Sequence, residues 1–371
     1  MRLTQDKVAP ASDDKADNTS EFALLLACAR TGFDTAKVEC IRALASQPLN
    51  WGWLTTEAMK QGVFPLLYHG LSSIAPDAIT LAGRSFWQRI YHSNVVQNIR
   101  LVHTLAELIG LLKESGIRTI PYKGPLLANT VYGNLALRRA GDLDLLVHRR
   151  DFLRSKELLL SQGYQLQTAY SWETHFARAR DGLNVDLHKA IGPTWHNFRT
   201  NFDDLWHRCN NAVIFNMSFP NLSREDLLIV LCIGLVKDTA EATVLNLFKI
   251  CDIVELSKLC NGINWELLLK SAKQLRAQRA LFVGLRAADD LLGISMPTDI
   301  RDLVFSNSAV ETIARHTVSM VRYGRPTEKR FPYQTRIIVK AREHPIDKAL
   351  VVILKIGEDL SQQMIRTIRT R

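Results

Sequence analysis

"YKGPLLANTVYGNLALRRAGDLDLLVH", residues 122–148, changes its hydrophobic period twice. The segment just before and into it, IRTIPYK at 117–123, is short and rich in β-branched residues and reads as a strand. LLANTVYG at 126–133 reads as a short helix closed by Gly133. DLDLLVH at 142–148 reads as a second strand. Side chains two apart on a strand share a face, so Asp142 and Asp144 project together while Leu143 and Leu145 turn into a core.

The pattern continues outward from that stretch. Asp151 is placed to cap a helix FLRSKELLLSQ, ended by Gly163, and YQLQTAY and NVDLHKA supply two more strands. The order is β-α-β-α-β-β, with turn residues agreeing at each joint. Upstream the spacing is helical. In NVVQNIRLVHTLAELIGLLKESG, residues Val95, Ile99, Val102, Leu105, Leu108, Ile109 and Leu112 form one stripe. Downstream, SREDLLIVLCIGLVKD opens with a Ser223 cap and acidic residues in its first turn. The expected fold class is α+β: a small mixed sheet at about 116–215 between helical regions at 21–115 and 216–371. Residues 1–20 are polar and read as a disordered leader rather than a signal peptide.

Composition narrows the function classes. The chain has 371 residues, enough for a large core without staples. Its net charge of +10 favours anionic partners. Part of the excess lies at the end, where residues 301–371 hold 14 Lys/Arg against 7 Asp/Glu. A solvated basic face is preferred there over a nucleic-acid contact. Cys28, Cys40, Cys209, Cys232, Cys251 and Cys260 form no CxxC pair, which argues against a zinc knuckle or a redox motif. The longest apolar run is about half of what a bilayer span needs, so no membrane span and a cytoplasmic location are expected.

The chemistry centres on the acids. Two adjacent carboxylates raise each other's pKa unless a cation lies between them, and Mg²⁺ takes oxygen ligands of this kind. The strand NVDLHKA puts Asn184, Asp186 and His188 on one face, and an acid between apolar neighbours is costly unless paired or metal-bound. Gly124 beside Lys123 lets a phosphate approach backbone N–H groups at a helix start. Arg138 and Arg139 precede the acid pair, placed to meet a triphosphate.

These motifs, "YKGPLLANTVYGNLALRRAGDLDLLV" with "VDLH" downstream, resemble the nucleotidyltransferases of the DNA polymerase β superfamily. More closely they resemble the bacterial family of uncharacterised nucleotidyltransferases, over about residues 20–300. The resemblance implies that Asp142 and Asp144 bind metal and that Asp186 is the third carboxylate, positioning a metal and taking the proton of the attacking hydroxyl. It implies nucleotide contacts from Lys123, Gly124 and Arg138. Two features depart from the pattern. Pro125 stands where the usual second small residue would offer an N–H, and the histidine often found in the helix spanning 232–236 is missing.

The implied activity is transfer of a nucleoside monophosphate from an NTP to a hydroxyl-bearing acceptor, with Mg²⁺ (or Mn²⁺) as cofactor and pyrophosphate released. Two cations about 3.5–4 Å apart serve such in-line displacements. The acceptor, whether small molecule, protein or RNA, is left open. The alternatives are a non-catalytic nucleotide- or partner-binding module of a biosynthetic complex, and a toxin-type enzyme that modifies tRNA. Among other residues, His188 either orients Asp186, touches substrate or is structural. His196, His207 and Cys209 lack ligand spacing. Lys249 and Asp252 are expected as a surface i, i+3 ion pair, slightly ahead of the alternative the resemblance implies, in which Asp252 faces the cleft. Trp51, Trp53, Trp195 and Trp206 are expected in the core or a cleft wall.

Overall fold

The computed structural model describes residues 19–79, 81–193, 198–241, 245–259, 262–324, 337–342 and 348. The expected leader (apart from its last two residues), Trp195, His196, Cys260 and most of the basic tail lie outside the described residues.

Among the described residues four helices come first: α1 (Thr19–Cys28), α2 (Thr35–Ala45), α3 (Trp51–Lys60) and α4 (Phe64–Ile74). The long α5 (Leu81–Glu114) leads from them into the mixed region. There β1 (Thr119–Pro121), α6 (Gly124–Thr130), β2 (Asp142–Val147), α7 (Phe152–Ser161), β3 (Tyr164–Ala169), β4 (Glu173–Arg178) and β5 (Asn184–His188) follow one another. After α8 (Phe202–His207) comes a hairpin of β6 (Asn210–Ile214) and β7 (Met217–Asn221). The helices return as α9 (Arg224–Ala240), α10 (Leu247–Lys258), α11 (Trp265–Gln274), α12 (Gln278–Leu292), α13 (Thr298–Phe305) and α14 (Ser308–Tyr323). The Ser223 hydroxyl accepts from the Asp226 N–H and caps α9.

The α+β class holds, with a five-stranded sheet in the order β1-β2-β5-β4-β3. Only β2 and β5 run parallel, with Asp142 beside Asn184, Asp144 beside Asp186 and Leu146 beside His188. Antiparallel β4 sets Glu173 beside His188 and His175 beside Asp186. Two strand regions go beyond the sequence expectation. One is β4, whose Glu173 and His175 hide its apolar alternation. The other is the β6–β7 hairpin, which crosses the expected boundary at 215/216. Phe215 and Asn216 make its turn with φ of 51° and 63°, the left-handed geometry that tight hairpins require.

The sheet divides two apolar clusters. Leu143, Leu145 and Val147 of β2, with Val185 and Leu187 of β5, face a smaller cluster under α5, α7 and the hairpin. Leu146 on the opposite face joins the larger helical cluster, with Ile120, Tyr122 and residues of α1–α4 and α9–α14. The acids therefore project from the face turned toward the helical cluster, at the seam between the two.

By length and composition, Gly83–Glu114 of α5 could cross a membrane, longer than any unbroken apolar run in the sequence. In this fold α5 packs on α4, α6 and the sheet. Its Asn94 and Asn98 amides donate to the carbonyls of Ala136, Leu135 and Arg138. That tethers the segment before the acids to a long, stiff element.

Candidate active site

Gly124 begins α6 with φ +57°, and a Cβ there would lie 2.9 Å from the Asp142 carbonyl oxygen. Only glycine permits both the left-handed backbone and this approach. The close packing sets Lys123 against β2, where its Nζ lies 3.4 Å from Asp144 Oδ1. Burial works to lower the Lys123 pKa, yet the charges of Asp144 and Asp142 raise it overall.

Asp142, Asp144, Asp186 and His188 line one cavity of about 490 Å³ with Lys123, Gly124, Arg138 and Arg139. Helices α9 and α10 supply Lys237, Phe248, Lys249 and Asp252, and the α3–α4 turn supplies Lys60 and Gly62. A Cβ on Gly62, at φ +70°, would strike the Phe248 ring at 2.7 Å, so this turn too needs glycine.

The carboxylates differ in their electrostatics. Burial, then the charges of Asp144 and Asp142, push Asp186 up to about 7. Burial and the Asp144 charge raise Asp142. Burial would raise Asp144 as well, but the Lys123 ammonium and His188 outweigh it and hold that carboxyl well below the usual range. Asp144, Asp186 and His188 bring ligand-capable atoms within 4.8 Å of one another, and Glu173, His175 and Asp186 do the same. Asp142 belongs to neither group and stands at the cavity side of β2.

Arg138 and Arg139 diverge. The buried Arg138 guanidinium donates to both Asp252 oxygens, at 2.7 and 2.8 Å, and to the Gly124 carbonyl at 3.2 Å. The Tyr132 hydroxyl donates to Asp252 at 2.7 Å. These bonds commit the Arg138 donors within the protein, whereas Arg139 is exposed at the cavity. The surface pair expected of Lys249 and Asp252 is not formed. Asp252 is 2% exposed and takes Arg138, while Lys249 pairs with Asp238 of α9. Burial opposes ionisation of Asp238, but Lys249 and Lys237 lower its pKa overall.

Helix α9 lines the cavity through Leu231, Gly234, Leu235 and Lys237 although it lacks the expected histidine. Lys237 sits 5.0 Å above the Trp172 ring. Glu173, His175, Trp172 and Lys237 escaped the sequence reading. A signal was present for two of them: Glu-x-His at 173–175 repeats the spacing of Asp-x-His at 186–188. On adjacent strands that spacing stacks acids and imidazoles on one face. Of the remaining candidates, Trp51 and Trp53 pack against the helical core, Trp51 edge-on to Trp87. Trp206 stacks on Phe202 beneath Arg118. Among the described residues, His207 and Cys209 enter no ligand-capable cluster.

The donors suit a hard or borderline divalent cation. Three carboxylates share one face, two of them with raised pKa, and the Lys123 ammonium offsets them on the Asp144 side.

The family described as uncharacterised nucleotidyltransferase matches residues 47–293, two thirds of the chain. Among solved structures, an antigenic nucleotidyltransferase-like protein from Paracoccidioides brasiliensis is similar at 17% identity and a TM-score of 0.38, over 55% of this chain and 96% of that one. No curated protein matches.

Proposed function

We propose that this chain, which belongs to the uncharacterised nucleotidyltransferase family, moves a nucleoside monophosphate from an NTP to a hydroxyl-bearing acceptor and releases pyrophosphate. The observation that carries this reading is the register of the parallel pair. It sets Asp144 beside Asp186, with Asp142 on the same face, in a cavity rimmed by Lys123, Arg139, Lys237 and Lys249. The wider kinship to the DNA polymerase β-like superfamily, a bacterial origin and a place in the reducing cytoplasm belong to the same proposal.

Asp142, Asp144 and Asp186 would hold the divalent cation, Mg²⁺ or Mn²⁺. Once bound it neutralises charge on the phosphates and polarises the reacting oxygens. The protein's own groups do the rest. Lys123, held against β2 by the Gly124 turn, meets the phosphate chain, and Pro125 offers no N–H to share that task. Of the two arginines placed to meet a triphosphate, Arg139 takes that role rather than Arg138, for which the resemblance implies it, because the Arg138 donors are committed to Asp252 and Gly124. Arg138 then braces the Gly124 turn from below. Asp186, held beside Asp144 by the parallel register, is the carboxylate placed to accept the acceptor hydroxyl's proton.

The test is incubation with each labelled NTP, Mg²⁺ or Mn²⁺ and fractionated cell extract, reading pyrophosphate and the labelled acceptor. Release by the wild type and none by Asp144→Asn is expected. If no NTP, cation or fraction yields pyrophosphate while Mg²⁺-NTP binds tightly, the chain is a nucleotide-binding module and the catalytic reading falls.

A further inference from the structure

His188 is 2% exposed. Its Nε2 lies 3.3 Å from Asp144 Oδ1 and its Nδ1 3.2 Å from Glu173 Oε2. Yet neither nitrogen aligns as a hydrogen bond with any protein group. A buried imidazole without a hydrogen-bond partner is costly. The ring is also fixed in place. Tyr122 meets it edge-on at 5.4 Å and Trp172 packs against it at 5.3 Å.

The acids around it are arranged as two linked sets. Asp144, Asp186 and His188 form one, Glu173, His175 and Asp186 the other, and Asp186 is common to both. Glu173 lies between the imidazoles, with Oε1 3.0 Å from His175 Nε2 and Oε2 beside His188 Nδ1. Each imidazole thereby turns its second nitrogen toward a carboxylate of the site. His188 Nε2 faces Asp144, and His175 Nδ1 lies 3.5 Å from Asp186 Oδ1. A carboxylate behind a histidine, with the far nitrogen aimed at a cation, is a recurrent way to orient an imidazole ligand.

We propose that His188 is a direct cation ligand beside Asp144 and Asp186. With Glu173 and His175 behind them, these residues make a mixed nitrogen–oxygen site that prefers a first-row transition cation to Mg²⁺. The chemistry follows from the donors. Mg²⁺ favours oxygen ligands and near-ideal octahedral geometry. Imidazole raises affinity for transition divalents and adds little for Mg²⁺. A site meant for Mg²⁺ alone has no use for a buried imidazole at this position. The competing role is an imidazolium that serves as counter-charge to Asp144 and Glu173, with no bond to a cation.

This inference deepens the proposed activity, but its test needs no turnover. Full-length protein stripped with chelator is titrated with Mn²⁺ alone and with Mg²⁺ alone by calorimetry. Bound Mn²⁺ is then examined by pulsed electron paramagnetic resonance for coupling to ¹⁴N. Mn²⁺ is expected to bind at least about tenfold more tightly than Mg²⁺. Nitrogen coupling is expected in the wild type and lost in His188→Gln, with Mn²⁺ affinity reduced about 10–100-fold. His175→Gln separates the two sets and is expected to keep the coupling. Circular dichroism confirms that both variants fold. Should His188→Gln not fold, the wild type labelled with ¹⁵N only at histidine replaces it, and the coupling must change to that of ¹⁵N. Bound Mn²⁺ without nitrogen coupling, equal affinities for the two cations, coupling that survives His188→Gln, or no Mn²⁺ bound at all would each overturn the inference. Pyrophosphate release together with any of those results leaves nucleotidyl transfer standing. Nitrogen coupling without any pyrophosphate release does the reverse.

Discussion

Arg138 and Asp252 meet through two short hydrogen bonds, with Tyr132 and the Gly124 carbonyl completing their shells. Asp144, Asp186, Glu173, His175 and His188 line the same cavity and leave three imidazole nitrogens without a hydrogen bond. Both clusters are charged and largely buried. The first is closed: each charge has its opposite in bidentate geometry, the arrangement in which a buried pair offsets its own desolvation. The second is open: acids outnumber cations, and the carboxyls of Asp186 and of the neighbouring Asp142 have raised pKa values. A closed cluster contributes to stability and gains nothing from a ligand. An open one gives up stability in the cation-free protein, and a bound cation restores it.

Substitution should separate the two. Asp142→Asn is expected to lower turnover by about a thousandfold or more, since several kcal/mol of charge stabilisation depend on the bound cation. Cation-free stability should stay level or rise slightly, because burial and the Asp144 charge already oppose ionisation of Asp142. Pyrophosphate release and urea unfolding measure the two quantities, and a large loss of stability would mean that Asp142 is structural. Asp252→Ala should do the opposite. It strands the Arg138 guanidinium in a buried place and should cost about 3–5 kcal/mol in unfolding free energy. An Asp252→Ala protein as stable as the wild type would show that the pair is not the brace it is read to be.

The closed cluster was the harder one to read from sequence. Asp142, Asp144 and Asp186 were legible because period-two alternation on a strand fixes which residues share a face. The bond of Arg138 to Asp252 was not legible for a physical reason: the partner lies 114 residues away on α10, and no local pattern reports a pairing at that range. Strand β4 was missed because the polar residues it turns to the cavity, Glu173 and His175, interrupt the alternation by which strands are recognised. The helices needed only local rules, and the Ser223 cap and the stripe on α5 were visible at once.

The open cluster should also respond to pH. In the cation-free folded protein Asp186 keeps its proton up to about pH 7, whereas the unfolded chain loses it near 4. The folded state therefore binds more protons across that window, and stability contributed by Asp186 falls as pH rises from about 4 to about 7, then levels. The size is a few kcal/mol at most. Urea midpoints from pH 4.5 to 8 should fall in the wild type and stay flatter in Asp186→Asn. Saturating cation should reduce the fall, because it takes the ionised carboxylate. Identical pH profiles for the two proteins would mean that Asp186 titrates like a surface acid.

The smallest effect tests the two arginines against each other. They are adjacent in sequence, yet Arg138 belongs to the closed cluster and Arg139 to the cavity rim. Arg139→Ala removes an exposed cation and should leave stability within about 0.5 kcal/mol. If it meets the triphosphate, losing one charge-assisted contact of partly solvated character should weaken NTP binding by about 1–2 kcal/mol, roughly five- to thirtyfold, with little change for the monophosphate. Arg138→Lys keeps the charge but gives up the bidentate fork, so it should lower stability and alter NTP affinity only as far as the Gly124 turn loosens. Titration of each variant with NTP and NMP, alongside unfolding, gives four numbers. The comparison breaks if Arg138→Lys loses NTP affinity selectively at unchanged stability. That outcome would return Arg138 to the phosphate site and make its bond to Asp252 one that substrate displaces.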